Sequence, residues 1–124
     1  LARVMTEGSA IVVTASLAGL TTMVTDPIYS GSKHFLVGFV RSVAPQLAER
    51  GITINAVCPA VVDTPMVATV RDEVLAAGIP LIQPEEIADA VLGAARDGST
   101  GECWACLPNR PAAKHEFPRF FRSA

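Results

Sequence analysis

Charge of either sign is scarce in this 124-residue chain: ten Lys and Arg stand against twelve Asp and Glu, a net charge of −2. That leaves no global basic field for holding nucleic acid or an anionic bilayer, so neither partner is expected. Long apolar runs are missing too. No stretch approaches the roughly 18 uninterrupted apolar residues of a membrane span, and no basic segment followed by an apolar one opens the chain as a secretory signal would. Cysteine is limited to three residues, which cannot all pair internally and which suit a reducing, cytoplasmic setting better than a disulfide framework. Cys103 and Cys106 form a Cys-x-x-Cys pair with no second ligand pair nearby. His34 and His115 have no partner at metal spacing, so no metal site is expected. There is no internal repeat or low-complexity block, which excludes a solenoid.

What is present is apolar material: half the residues are hydrophobic and the mean hydropathy is +0.38, enough for a single core at this length. Ala10 to Thr14 is a short β-branched run after Glu7-Gly8-Ser9 and reads as a buried strand of a parallel sheet. A loop follows from Ser16 to Thr25. Asp26-Pro27 then offers an N-cap and a proline at the first helical position. The helix runs to about Glu49, with Leu36, Val40, Val43 and Leu47 on one stripe and Phe35 and Phe39 beside it. Pro45 predicts a bend and Gly51 a stop. Ile52 to Val57 is a second buried strand.

Thr64-Pro65 opens a weakly patterned stretch to Ile82 with a short helix around Val67 to Ala76, read as a mobile loop or lid. Pro84-Glu85-Glu86 starts a further helix whose Ile87, Ala90, Val91 and Ala94 face the core. It stops near Asp97-Gly98, before a third strand from about Glu102 to Leu107, along which Cys103 and Cys106 point to opposite faces as inert thiols. Three strands alternating with helices indicate a doubly wound α/β layer. The tail from Asn109 to Ala124 interleaves Arg110, Lys114, Arg119 and Arg122 with Phe117, Phe120 and Phe121. It is expected to pack over a neighbour or subunit rather than to bind nucleic acid.

Tyr29 and Lys33, four apart near the start of the first helix, project from one face. An ammonium beside a phenol favours the phenolate, so the pair can act as a general acid/base at neutral pH. Tyr-x-x-x-Lys arises often by accident. What adds weight is Ser16, at the C-terminal end of the preceding strand, where open α/β sheets gather ligands.

Taken together, Ala10-Ile11-Val12-Val13-Thr14-Ala15-Ser16, Leu17-Ala18-Gly19-Leu20, Tyr29-Ser30-Gly31-Ser32-Lys33 and Gly51-Ile52-Thr53-Ile54-Asn55-Ala56-Val57-Cys58-Pro59 resemble the short-chain dehydrogenase/reductase family in order and spacing. The likeness continues through Val62-Asp63-Thr64-Pro65-Met66 to Thr100-Gly101. It implies a Rossmann-like doubly wound parallel sheet and an oxidoreductase that interconverts a secondary alcohol and a carbonyl with NAD or NADP. Tyr29 would transfer the proton, Ser16 would hold and polarise the substrate oxygen, and Lys33 would tune Tyr29 and bind the nicotinamide ribose. Pro59, Ala60, Val62 and Thr64 match the segment lining the nicotinamide, Val62 chiefly through its backbone. Ala60 departs from the family's usual glycine, which puts a Cβ near the cofactor and could shift the local backbone.

The resemblance covers only the family's C-terminal half. Residues 1–108 would be that half, without the Gly-rich dinucleotide-binding turn, and 109–124 a tail. Leu1, Val4 and Met5 likewise carry the spacing of a helix that starts earlier, as in a fragment. The isolated chain is then expected to be inactive. The first strand should have an open edge, covered by the missing half, a swapped partner or another copy. In the resembled family this long helix commonly forms a dimer interface, so the resemblance implies a homodimer or homotetramer. Met66, Val67, Val70, Leu75, Ile79 and Leu81 suggest an apolar alcohol or carbonyl substrate. A second reading is a truncated, non-catalytic module that only oligomerises.

Overall fold

The computed structural model describes residues 1–121. Gly8, at φ +87°, turns the chain into strand β1, Ala10–Thr14, and the Gly8 N–H donates to Gly51 O at 2.8 Å. Ahead of it, Ala2–Val4 forms a single 3-10 turn. Helix α1 spans Pro27–Ala48. Its start is set as the sequence predicts: Pro27 opens it, and Asp26 Oδ1 accepts from the Tyr29 N–H at 3.0 Å, which satisfies one of the helix's free donors. The helix runs uninterrupted past Pro45 and buries Ser30, Val37, Val40, Ala44 and Leu47. Leu36 and Val43 lie at the margin of that stripe. Phe35 and Phe39 stand outside it, 66% and 50% exposed, with rings stacked at 6.0 Å.

After Gly51, at φ +69°, the chain enters strand β2, Thr53–Pro59, six of whose seven residues are buried. β2 pairs parallel with β1, from Ala10↔Thr53 to Thr14↔Val57, and parallel with strand β3, Cys103–Cys106, from Ala56↔Cys103 to Pro59↔Cys106. A fourth strand adds to the three expected: β4, Ala113–Lys114, runs antiparallel to β3. The sheet order is β1-β2-β3-β4, so β1 has a strand on one side only among the described residues.

Strand alternation sorts the core onto two faces. Ile54, Ala56, Cys58 and Cys103 pack with Val37, Val40, Ala44 and Leu47 of α1. Val57 and Cys106 pack with Ile87, Ala90, Val91 and Ala94 of helix α3, Pro84–Arg96, on the other face. Cys103 and Cys106 therefore do look to opposite faces. Burying a side chain such as Val40, at 0% exposure, contributes about 1.5–3 kcal/mol. Asn55 is equally buried, and its amide ties three elements. Its Nδ2 donates to Ser99 O at 2.9 Å and to Ala94 O at 3.4 Å, while its Oδ1 accepts from the Glu102 N–H at 2.9 Å.

Between β2 and α3 lie a 3-10 turn at Pro65–Val67 and a short helix, α2, Arg71–Ala76. β4 and the residues after it pack on their own chain: the Lys114 ammonium pairs with Asp97 at 2.9 Å, and the Arg41 guanidinium of α1 lies 3.6 Å from the centre of the Phe117 ring. Arg122, the last of the tail's basic residues, lies outside the described residues. No helix among the described residues is long and apolar enough to cross a membrane.

Candidate active site

Because β1, β2 and β3 are mutually parallel, their carboxyl ends share one rim, the edge at which open α/β sheets bind ligands. Ser16 leaves β1 there, Ala60 leaves β2 there, and α1, which runs back to the opposite end where β2 starts, has its first turn there.

Ser16 has extended backbone and caps a 3-10 turn at Leu17–Gly19, its Oγ accepting from the Ala18 N–H at 3.1 Å. Since the hydroxyl accepts from Ala18, its own hydrogen is left to donate. The Ala15 N–H donates to Val57 O at 2.8 Å, which keeps the loop in register with β2 as it leaves the sheet. Tyr29 and Lys33 are both half-buried, one turn apart on α1. The Lys33 ammonium lies 5.6 Å from the centre of the Tyr29 ring.

Two further features join the Ser16 loop to that helix. Ser30 Oγ donates to Ala18 O at 2.8 Å and reaches Thr21 O at 3.4 Å. Gly19 meets α1 so closely that a Cβ on it would come within 2.7 Å of Lys33 O. Ser16, Tyr29 and Lys33 are thus held on two segments that touch. Sequence reasoning quoted Ser30 within the Tyr29–Lys33 motif without giving it a role, since its partners lie twelve and nine residues away.

Of the residues expected to line a cofactor, Pro59 is buried and Ala60, Val62 and Thr64 are half-buried. Ala60 does not have a positive φ, and its N–H donates to Cys106 O at 2.9 Å. The backbone there asks nothing that only glycine can supply. Val62 forms an isolated parallel bridge with Ile82. In it Val61 O accepts from Ile82 at 2.9 Å and the Asp63 N–H donates to Ile82 O at 2.8 Å. This pattern turns Val62's own N–H and C=O away from Ile82, and they have no backbone partner among the described residues. An unpaired donor and acceptor side by side suit an amide ligand. Thr64 precedes the Pro65–Val67 turn and makes no capping bond with its side chain.

The Val62–Ile82 bridge also closes the base of the segment that follows. Arg71 clips it a second time, its Nε and Nη2 reaching the two carboxylate oxygens of Asp63 at 3.0 and 3.3 Å. The hydrogen bond from Arg71 holds the Asp63 carboxyl below its ordinary value. Met66, Val70, Leu75 and Ile79 are exposed along the segment, whereas Ile82 is buried.

The three cysteines are free and buried. Cys58 is pushed up by its hydrogen bond with Cys103 and by burial, and Cys106 by burial, so both stay as protonated thiols at neutral pH. A shallow groove lined by Glu86, Asp89, Trp104 and Arg110 lies on the α3 face and includes none of the residues between Ser16 and Lys33.

Residues 1–102 match the family described as enoyl-(acyl carrier protein) reductase. A putative ketoacyl reductase of Streptomyces coelicolor is 39% identical over 65% of this chain and 38% of its own length. The mouse 15-hydroxyprostaglandin dehydrogenase of NAD(+) is 41% identical over 54% of this chain and 26% of its own. Among solved structures, an actinorhodin polyketide ketoreductase variant with NADPH superposes with a TM-score of 0.72 at 34% identity, covering 81% of this chain and 47% of that one. A 3-oxoacyl-[acyl-carrier protein] reductase from Brucella melitensis superposes with a TM-score of 0.68 at 34% identity, over 77% and 40%. The chain spans less than half the length of each.

Proposed function

The chain belongs to the short-chain dehydrogenase/reductase family, and from that premise we propose that it carries the catalytic half of an NAD(P)-dependent oxidoreductase interconverting a secondary alcohol and a carbonyl. The observation that supports this reading is the hydrogen bond tying the loop that carries Ser16 to the helix that carries Tyr29 and Lys33, with the Lys33 ammonium over the Tyr29 ring, at the carboxyl rim of a parallel sheet.

Tyr29 delivers a proton to the substrate oxygen in reduction and takes it back in oxidation. The Ser16 hydroxyl, fixed as an acceptor by the Ala18 N–H, donates its hydrogen to the same oxygen. Lys33 places its charge beside the phenol ring and holds the nicotinamide ribose. The unpaired N–H and C=O of Val62 fit a carboxamide, with Pro59, Ala60 and Thr64 lining the same segment. When bound, the dinucleotide would supply the hydride in reduction and accept it in oxidation. The exposed apolar residues of 66–79 suit an apolar substrate. Relatives named for ketoacyl and hydroxyprostaglandin chemistry support a carbonyl or hydroxyl on an aliphatic chain.

The Gly-rich half that would bind the pyrophosphate lies outside residues 1–108 in this reading. The open edge of β1 is where it docks, as a preceding segment or as a swapped or second copy. On its own the chain is inactive. The outward Phe35 and Phe39 of α1 support a homodimer or homotetramer, and three free cysteines fit a cytoplasmic setting.

Titration of the purified chain with NADH and NADPH by nicotinamide fluorescence, with intact mass on the same sample, tests the division of labour. The 124-residue chain alone is expected not to bind, and joined to a complementary Gly-rich half it is expected to bind and turn over. Tyr29→Phe in the joined enzyme should lower kcat by at least about 100-fold, within the range of general acid/base catalysis. Unchanged turnover would overturn the assignment of Tyr29.

A further inference from the structure

Ser30 and Asn55 are the two polar side chains buried among the described residues. Asn55 staples the sheet to α3. Ser30 sits in the first turn of α1, where its N–H already donates to Asp26 O at 3.1 Å. A serine in a helix commonly bonds a carbonyl of the preceding turn. Ser30 Oγ instead leaves the helix and donates to Ala18 O at 2.8 Å in a buried contact.

The receiving peptide matters. Ala18 accepts from Ser30 at its carbonyl and donates from its N–H to Ser16 Oγ at 3.1 Å. One residue therefore links the helix that carries Tyr29 and Lys33 to the hydroxyl of Ser16. Its neighbour removes the slack, because Gly19 approaches the Lys33 carbonyl too closely for a Cβ. The loop has no lateral room against the helix, and Ser30 sets its height along it.

We propose that Ser30 is a positioning residue: by donating to Ala18 O it fixes the Leu17–Gly19 turn, and through the Ala18 N–H it fixes the Ser16 hydroxyl relative to Tyr29 and Lys33. The proposal rests on the oxidoreductase reading for its catalytic consequence, though not for the hydrogen-bond link itself. Removing the hydroxyl leaves a buried carbonyl short of a donor and lets the turn drift. A misplacement on the scale of an ångström at a reacting group is enough to cost rate.

The test uses Ser30→Ala and Ser30→Thr. Amide hydrogen exchange on the full chain reads the link. In Ser30→Ala the amides of Ala18, Gly19 and Leu20 should exchange about tenfold faster while those of β1 and β2 change less than twofold, and Ser30→Thr should restore protection. On the chain joined to a complementary Gly-rich half, with NADPH and a β-ketoacyl thioester as the probe, Ser30→Ala should lower kcat about tenfold and leave KM within twofold.

Unchanged exchange in the turn, or exchange that rises equally in every element, would overturn the proposal. Faster exchange with unchanged kcat would also overturn it. If Tyr29→Phe retains full turnover, the oxidoreductase reading is what fails, and the exchange result still decides whether Ser30 holds the Ser16 loop.

Discussion

Asn55 has no route to water, and each polar atom of its amide is matched to a backbone group of another element. Replacing it with alanine strands Ser99 O and the Glu102 N–H together. Asn55→Ala should therefore destabilise the chain by about 2–4 kcal/mol, since each buried unsatisfied group costs about 1–3. Urea unfolding measures this, with the midpoint falling and the slope preserved. At this scale legibility depends on sequence distance. The Asp26 cap, the Tyr29–Lys33 pair and the opposed directions of Cys103 and Cys106 could be read because each is local. The partners of Asn55 are about forty or more residues away and those of Ser30 nine and twelve, so nothing in the local spacing announces either side chain's task. The Ala60 departure was visible as a change of letter, whereas the backbone angle at that position was not.

Among the elements, α1 was predicted nearly to its ends because its cap, period and stop agree. Its outward aromatic pair now has a definite exposure. If α1 is the face on which copies meet, Phe35→Asp with Phe39→Asp should convert an associated species to monomer in sedimentation velocity and leave far-UV circular dichroism unchanged, since neither ring belongs to the buried stripe. β4 escaped the sequence because two residues carry no periodicity. It is held from outside, by His115 N–H to Cys103 O at 2.8 Å and by the Lys114–Asp97 pair.

That anchorage is sensitive to acid. A hydrogen bond from Ser99 and the Lys114 ammonium hold the Asp97 carboxyl below its ordinary value. A carboxyl depressed in the folded state contributes stability above its unfolded value near 4, and the contribution is lost as pH falls through the folded value. The Ser99 N–H resonance, beside the Asp97 carboxylate, should accordingly hold steady from about pH 8 to 5 and move only below about pH 4, and Asp97→Asn should abolish that step.

For the whole molecule, the α/β layering was legible from the alternation of strand and helix patterns, and so was the open side of β1. What the residues could not announce is which face each helix takes. α1 and α3 lie on opposite faces of the sheet, yet the strands advance in one direction, β1 to β2 to β3. Two steps in the same direction with helices on opposite sides are mirror images in sense, so the β1-α1-β2 and β2-α3-β3 crossovers have opposite handedness. One of them must run against the right-handed preference that strand twist imposes on nearly all such units. Only the second has a long connection, 60–83, between its strand and its helix. That stretch supplies the reach for a turn that strand twist disfavours. Replacing residues 66–80 with a short Gly-Ser linker should thus abolish cooperative thermal unfolding instead of merely opening the site. Variation in the length of the 60–83 connection is constrained by the chirality of the fold.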